Sequence, residues 1–316
     1  MHAAVVNAIG QLPKFQNFAD PVAGEGEIVV EIHAAGLHPI VKALASGQHY
    51  SGKGQVPLIP GVDGVGKLPD GRLHYCFASR PPFGTMAQQT VVGSKNCIPL
   101  PENLEPTQAA AIANPGMSAW LSLKLRAGLA AGETVLVNGA TGVAGQLAVQ
   151  AARYLGARKV IATGRNMEVL TELGADAVVA LTNDDAEMSP AFAAAAEGGI
   201  DVVIDYLWGH PTELLLGALA KAFRPEGSKP VRLVEVGESA GKTIALPGAV
   251  LRSIDLTMCG SGFGSVPLAE IIQVIPTLFS LAADGHLKVA VEPVPLAKVE
   301  EAWGQGEKGK RIVFTM

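Results

Sequence analysis

Cysteine is scarce in this chain: three residues among 316, Cys76, Cys97 and Cys259, widely spaced and odd in number. They form neither a disulfide framework nor a C-x-x-C zinc pair. The low polarity of their neighbours predicts three buried structural thiols. Uninterrupted apolar runs of about 18 residues are also missing, so no membrane span is expected. The most hydrophobic helical windows, around Ala109–Ala113 and Pro190–Ala196, are short and broken. Met1–Gly10 reads like a strand, without the charged start and long apolar stretch of a signal peptide. The cytoplasm is the expected location. Basic residues are not in excess either. The 24 Lys and Arg stand against 29 Asp and Glu, for a net charge of −5, and no Lys/Arg block offers a footprint for nucleic acid.

What the chain does have is apolar content: 48% apolar against 17% charged residues, which marks a folded core rather than disorder. Its length exceeds what one compact core usually holds, so two domains are expected. The first part is rich in strand and turn signals. Glu27–His33 alternates like a half-buried strand, and Gly and Pro punctuate the residues that follow. The texture changes near Asn114. Short apolar strands at Thr134–Asn138, Lys159–Thr163, Ala177–Leu181, Asp201–Asp205, Val231–Val236 and Asp255–Cys259 then alternate with helical segments such as Gly145–Leu155 and Met167–Leu173. That alternation predicts a parallel, doubly wound sheet covered on both faces. A helix over Pro267–Asp284, a strand at Val289–Val294, a short helix at Leu296–Gly304 and a final strand at Lys310–Thr315 close the chain. The tail is similar in style to the first domain. The expected organisation is therefore α/β: a doubly wound domain at 115–260 inserted into a mostly β domain made of 1–114 and 261–316.

The most informative segment is Thr134–Leu155. An apolar strand runs straight into a Gly-rich turn and then an amphipathic helix. Ala140, Gly142 and Gly145 occupy the three positions of a G-x-G-x-x-G fingerprint, with alanine at the first. Gly142 lets backbone approach a pyrophosphate, and Gly145 lets the helix pack close to the strand. The free N–H groups and positive dipole end of the helix, over Thr141, Val143 and Ala144, then face phosphate. The end of the next strand selects the cofactor. An NAD site places Asp or Glu there, on the ribose 2′-OH. Here the residues are Gly164, Arg165 and Asn166, with no acid before Glu168. Arg165 offers a 2′-phosphate a bidentate, charge-assisted contact, which favours NADPH. The alternative for Arg165 is a solvated surface side chain.

Together with this segment, HAAGLHP at 33–39, SGQHY at 46–50, IPGVDGVG at 59–66, GTMAQ at 84–88, LGADAVV at 173–179, DVVID at 201–205 and GKRIVF at 309–314 resemble the medium-chain dehydrogenase/reductases, in their zinc-free quinone oxidoreductase branch. The resemblance spans essentially the whole chain. It implies a Rossmann NADP-binding domain inserted into a GroES-like substrate domain, and hydride transfer from NADPH to a quinone or α,β-unsaturated carbonyl. Zinc-dependent relatives carry Cys where His38 stands, His where Val62 stands and another Cys near Asn114. A catalytic zinc needs about three protein ligands, so no metal is expected. Without one, hydrogen bonds must stabilise the oxygen that gains charge.

By the same resemblance, His38 and Tyr50 line the cleft beside the nicotinamide, as proton donor and carbonyl partner. Their alternatives are a neutral polar substitute for the usual Asn and a wall residue that only shapes the pocket. Ser118 stands where relatives place a nicotinamide-touching Thr; its alternative is an ordinary hydroxyl at a helix N-terminus. Val236, Gly237, Gly260, Ser261 and Gly262 are expected near the nicotinamide riboside and amide. The chain also departs from its relatives. The segment that grips the 2′-phosphate is short, leaving Arg165 and Asn166 alone, and Lys67–Arg72 looks like a tight hairpin in an abbreviated first domain. Two other functions stay open: an aldehyde or alcohol oxidoreductase, and a non-catalytic NADPH-binding sensor. A homodimer through the edge strand at Asp255–Cys259 is expected, since such an edge invites pairing.

Overall fold

The computed structural model describes residues 1–48, 55–224, 226–262, 264–306 and 309–316. The chain divides into two compact units, Met1–Asn114 with Ile275–Met316, and Pro115–Val274.

The first unit opens with an antiparallel pair, β1 (His2–Val5) and β2 (Lys14–Asn17). β3 (Glu27–Gly36), α1 (Pro39–Ala45), β4 (Asp63–Lys67), β5 (Leu73–Phe77), β6 (Gln89–Gly93) and β7 (Cys97–Pro99) follow. The hairpin expected at 67–72 joins β4 to β5. Pro69-Asp70-Gly71 turns the chain, Leu68 N–H donates to the Arg72 carbonyl at 3.1 Å, and Gly71 takes the left-handed φ of +82° that glycine tolerates. Helix α2 (Pro106–Leu121) carries the chain into the second unit at Pro115.

The second unit alternates strand and helix as its hydrophobic pattern requires. It contains β8 (Thr134–Asn138), α3 (Val143–Tyr154), β9 (Lys159–Gly164), α4 (Met167–Glu172), β10 (Ala177–Ala180), α5 (Asp185–Ala196), β11 (Val202–Asp205), α6 (Gly209–Lys221), β12 (Val231–Glu235), α7 (Gly248–Ser253) and β13 (Leu256–Gly260). Among the described residues these strands form a six-stranded sheet in the order β10-β9-β8-β11-β12-β13, every neighbouring pair parallel. All five residues of β8 are buried, as a central strand covered on both faces demands. Leu136, Ile161, Val203 and Leu233 pack under Phe192 and Leu215. The strand order reverses between β8 and β11, and the crevice at that switch point is where a doubly wound sheet binds ligands.

Residues 261–274, read from sequence as the start of the return to the first domain, pack instead with the second unit. Ser261 N–H donates to the Glu235 carbonyl at 2.8 Å, and Gly262 N–H to the Ser265 hydroxyl at 2.9 Å, so the segment folds back on the end of β13. Helix α8 (Leu268–Ala283) then re-enters the first unit at Ile275, followed by β14 (Ala290–Pro295), α9 (Val299–Ala302) and β15 (Lys310–Thr315). β15 pairs antiparallel with β3, completing the order β14-β15-β3-β4-β5-β7, with β6 also on β3. Val30, Ile32, Met86, Trp303 and Phe314 share this unit's core. Cys76 is buried, whereas Cys97 and Cys259 are half-buried, so only one of the three cysteines is the fully enclosed thiol expected. Among the described residues no helix is long and apolar enough to cross a membrane.

Candidate functional site

The C-terminal ends of β8 and β9 carry the glycine-rich turn. β8 ends at Asn138, and the turn is made by Gly139 at φ +89°, a residue outside the fingerprint positions read from sequence. Ala140 is fully buried and its N–H is spent on the Thr163 carbonyl at 2.7 Å, so this amide is not available to a phosphate. Beyond it the chain opens. Gly142 caps α3 with no side-chain hydrogen bond, and no acidic residue occupies the first turn. The first intrahelical bond runs from Gln146 N–H to the Gly142 carbonyl at 2.9 Å. The N–H groups of Val143, Ala144 and Gly145 thus precede the helical ladder, where an anion is stabilised by the dipole.

Each glycine here answers a different contact. A Cβ on Gly145 would lie 2.3 Å from the Gly139 carbonyl oxygen, so this position brings α3 against the strand end. A Cβ on Gly164 would lie 2.4 Å from Thr141 Cγ2. Gly142 is different: a Cβ there meets nothing nearer than 3.8 Å, so the protein itself does not demand glycine. Open space beside unspent helix N–H groups fits a dinucleotide pyrophosphate.

At the end of β9, Gly164 is buried and Arg165 and Asn166 are exposed. Asn166 Oδ1 accepts from Val169 N–H at 3.2 Å and so caps α4. Among the described residues Arg165 has no ion-pair or hydrogen-bond partner, which leaves its guanidinium free beside the turn.

Beneath the switch point lies a buried polar network. Asn138 Nδ2 donates to Asp205 Oδ1 at 2.9 Å, Thr163 Oγ1 donates to Asn138 Oδ1 at 2.7 Å, and Thr212 Oγ1 donates to Asp205 Oδ2 at 2.6 Å. Asp205 Oδ1 also accepts from the N–H groups of Leu207 and Trp208, at 2.9 and 3.1 Å, and holds Trp208 at φ +54°. Burial pushes the Asp205 carboxyl above its usual range even against these donors. The network fixes the ends of β8, β9 and β11 relative to one another.

On the other side of the switch point, Val236 and Gly237 donate to the Asp205 carbonyl at 2.8 and 3.2 Å. Both are partly exposed, as are Gly260 and Ser261, while Gly262 is exposed. A cavity of about 340 Å³ reaches Gly260 and is bounded also by Trp208, Glu235, Lys242 and Met258. Glu235, half-buried, is raised above the usual carboxylate range by burial and then by the charges of Asp205 and Glu238. Ser118 is partly exposed on α2, next to Tyr206, a partly exposed residue whose hydroxyl oxygen is buried and whose phenol burial pushes up.

In the first unit, Tyr50 lies outside the described residues. His38 does not present a ring atom to solvent. It is fully buried, with Nε2 3.2 Å from Asp63 Oδ1, close but not aligned as a hydrogen bond. Asp63 Oδ2 accepts from the Tyr75 hydroxyl at 2.7 Å, and burial followed by the Asp63 charge raises the Tyr75 phenol well above its usual range. Arg311, 1% exposed on β15, donates to the Leu37 carbonyl at 2.9 Å and so steadies the residue preceding His38. Asp63, Tyr75, Arg311 and Asp205 were not singled out from sequence. Asp63, Asp205 and Arg311 carried a signal, their places in the IPGVDGVG, DVVID and GKRIVF motifs, whereas Tyr75 lies in none of the motifs. Among the described residues no group of three or more His, Cys, Asp or Glu is placed to hold a metal ion.

The zinc-binding dehydrogenase family matches residues 143–280. A protein of Emericella nidulans named as a probable NADPH-dependent quinone reductase is 29% identical, over 99% of this chain and 99% of its own length. Human quinone oxidoreductase is 28% identical, over 94% of this chain and 92% of its own. The structure of the quinone oxidoreductase from Thermus thermophilus, also solved with NADPH, superposes with a TM-score of 0.81 at 28% identity, covering both chains completely. With both partners matched over nearly their whole length in each case, the chain belongs to the medium-chain dehydrogenase/reductase superfamily, in its quinone reductase-like branch.

Proposed function

We propose that this chain is an NADPH-dependent, zinc-independent oxidoreductase that reduces quinones or α,β-unsaturated carbonyls. The observation that carries the reading is the free guanidinium of Arg165, at the end of β9, where no acid stands and the glycine turn leaves helix N–H groups unspent. The names of the relatives support the substrate class. NADPH supplies a hydride. Val143 and Ala144 N–H groups bind its pyrophosphate, Arg165 its 2′-phosphate, and Ser118, Val236, Gly237 and the 260–262 turn flank the nicotinamide. Gly164 and Asn166 shape the adenosine end, Asn166 through the cap it places on α4 rather than through its own amide.

Proton delivery falls to Tyr50 or to solvent. His38, enclosed against Asp63, acts as a positioning residue for the segment it starts, α1. The donor set does not suit a catalytic zinc, because Val62 has no ligating atom and the Nε2 of His38 already faces Asp63. The pattern of free cysteines suits a reducing compartment, and we place the protein in the cytoplasm as a homodimer paired through β13.

The test follows the absorbance of reduced nicotinamide with a panel of quinones and enones, beside calorimetry with NADPH and NADH. Turnover with NADPH is expected. Arg165→Ala should weaken NADPH by the worth of a charge-assisted contact, about 1.5–3 kcal/mol or roughly tenfold to hundredfold, and leave NADH unchanged. Equal losses for both dinucleotides would remove Arg165 from the 2′-phosphate site. Tight NADPH binding with no turnover on any acceptor would favour the sensor.

A further inference from the structure

Cys76 on β5 and Cys97 on β7 stand directly opposite each other in antiparallel register. The phase of the ladder between these strands is also fixed. Leu100 N–H donates to the Leu73 carbonyl at 3.0 Å, so this opposed pair is a hydrogen-bonded one. Alternation along the ladder makes His74 with Pro99 non-hydrogen-bonded, Tyr75 with Ile98 hydrogen-bonded, and Cys76 with Cys97 non-hydrogen-bonded. Pro99, which has no N–H to give, occupies a non-bonded position, as that phase requires.

Non-hydrogen-bonded partners sit with Cα atoms about 4.5 Å apart and with their side chains on one face. A disulfide needs roughly 4.4–6.8 Å between Cα atoms. Both cysteines pack into the same core cluster, Cys76 enclosed and Cys97 at its edge. In the reduced chain the Cys76 thiol donates to the Gly64 carbonyl at 3.5 Å, a weak bond that one side-chain rotation gives up.

We infer that Cys76 and Cys97 form a dithiol site that closes into a cross-strand disulfide when a small organic disulfide oxidises it. The half-buried Cys97 is the entry point: its thiolate attacks one sulfur of the organic disulfide, forming a mixed disulfide and expelling one thiolate. Cys76 then loses its proton to solvent base and attacks the Cys97 sulfur, expelling the second thiolate. The two protein thiols are oxidised by two electrons, and the organic disulfide is reduced to two thiols, which take up the two protons. Burial holds both thiols above their usual range, Cys76 well above it, so closure is slow at neutral pH and the pair rests reduced until oxidant accumulates. The inference stands on the first unit alone and does not depend on the proposed reaction.

The test incubates the full native chain with excess hydroxyethyl disulfide and follows intact mass, then maps peptides without reduction. The expected product has lost two hydrogen atoms, joins the Cys76 peptide to the Cys97 peptide, and returns to the starting mass with dithiothreitol. Its rate should rise about tenfold per pH unit while both thiols remain mostly protonated. Cys259→Ser should close at the same rate, and Cys97→Ser should not close. An unchanged mass, a lasting mixed disulfide on Cys97, or a bridge that maps to Cys259 or to a second chain would each overturn the proposal. The Cys259→Ser chain keeps it testable even if substitution at Cys97 disturbs folding.

Discussion

Gly142 and Gly145 lie three residues apart in one turn, yet they lack a side chain for opposite reasons. Gly145 has no room: alanine would overlap the Gly139 carbonyl oxygen and press on Ala140 Cα, at 2.3 and 2.6 Å. Forced overpacking of this kind costs about 1–3 kcal/mol, so Gly145→Ala should lower the melting temperature whether or not cofactor is present. Gly142 has room, and its φ of −74° suits any residue. Gly142→Ala should therefore melt like the parent and lose dinucleotide affinity by roughly tenfold, about 1.4 kcal/mol, because the methyl meets the pyrophosphate alone. Thermal melts with and without NADPH, beside titration calorimetry, separate the two. A destabilised Gly142→Ala chain would show that the space is structural. The sequence pattern made both glycines legible but left the backbone roles of Gly139 and Ala140 open. Spacing shows which residues flank a turn; it does not show that Gly139 carries the left-handed φ or that the Ala140 amide is already bonded.

At the scale of elements, the polar clamp made by His210 joins pieces that the hydrophobic pattern treats separately. Its Nε2 lies 2.7 Å from Asp185 Oδ1 at the start of α5, and its Nδ1 lies 3.3 Å from Glu213 Oε2 on α6. Glu213 Oε1 in turn accepts from Ala245 N–H at 2.7 Å, tying down the segment that leads to α7. Hydrogen bonds to Asp185 and Glu213 hold His210 above its ordinary value. Because the folded value exceeds the unfolded one, the clamp contributes fully below about pH 6.5 and fades as pH rises through the raised value. All three side chains are substantially exposed, so solvent screening limits the contribution to about 1 kcal/mol or less. Urea titrations of His210→Gln and the parent should differ at about pH 5.5 and converge at about pH 8.5. A gap that stays constant would assign the loss to packing instead. None of this was singled out from the sequence: His210 and Glu213 are polar residues three apart on α6, and Asp185 lies on another helix, α5.

For the whole molecule, the readable and unreadable parts divide by the range of the interactions that make them. Every strand of the parallel sheet fell within a residue or so of its sequence position, because each is a short apolar run closed by a turn. The pairing of β15 with β3, with Val313 facing Gly36, and the buried Arg311 depend on contacts nearly the length of the chain apart, which no local pattern encodes. Assembly belongs to the same long-range class. Among the described residues β13 ends the six-stranded order with one side unpaired, Met258 and Cys259 are only half-buried along it, and the Leu251 side chain of neighbouring α7 is 52% exposed. A strand of this kind is an open template for a second copy, and a Lys on it is the common way to prevent pairing. Sedimentation of the parent should therefore give twice the chain mass. Thr257→Lys, at an exposed position of β13, should shift the mass toward one chain while leaving far-UV dichroism unchanged. A parent that sediments as a single chain, or a Thr257→Lys dimer as tight as the parent, would move the interface elsewhere or abolish it.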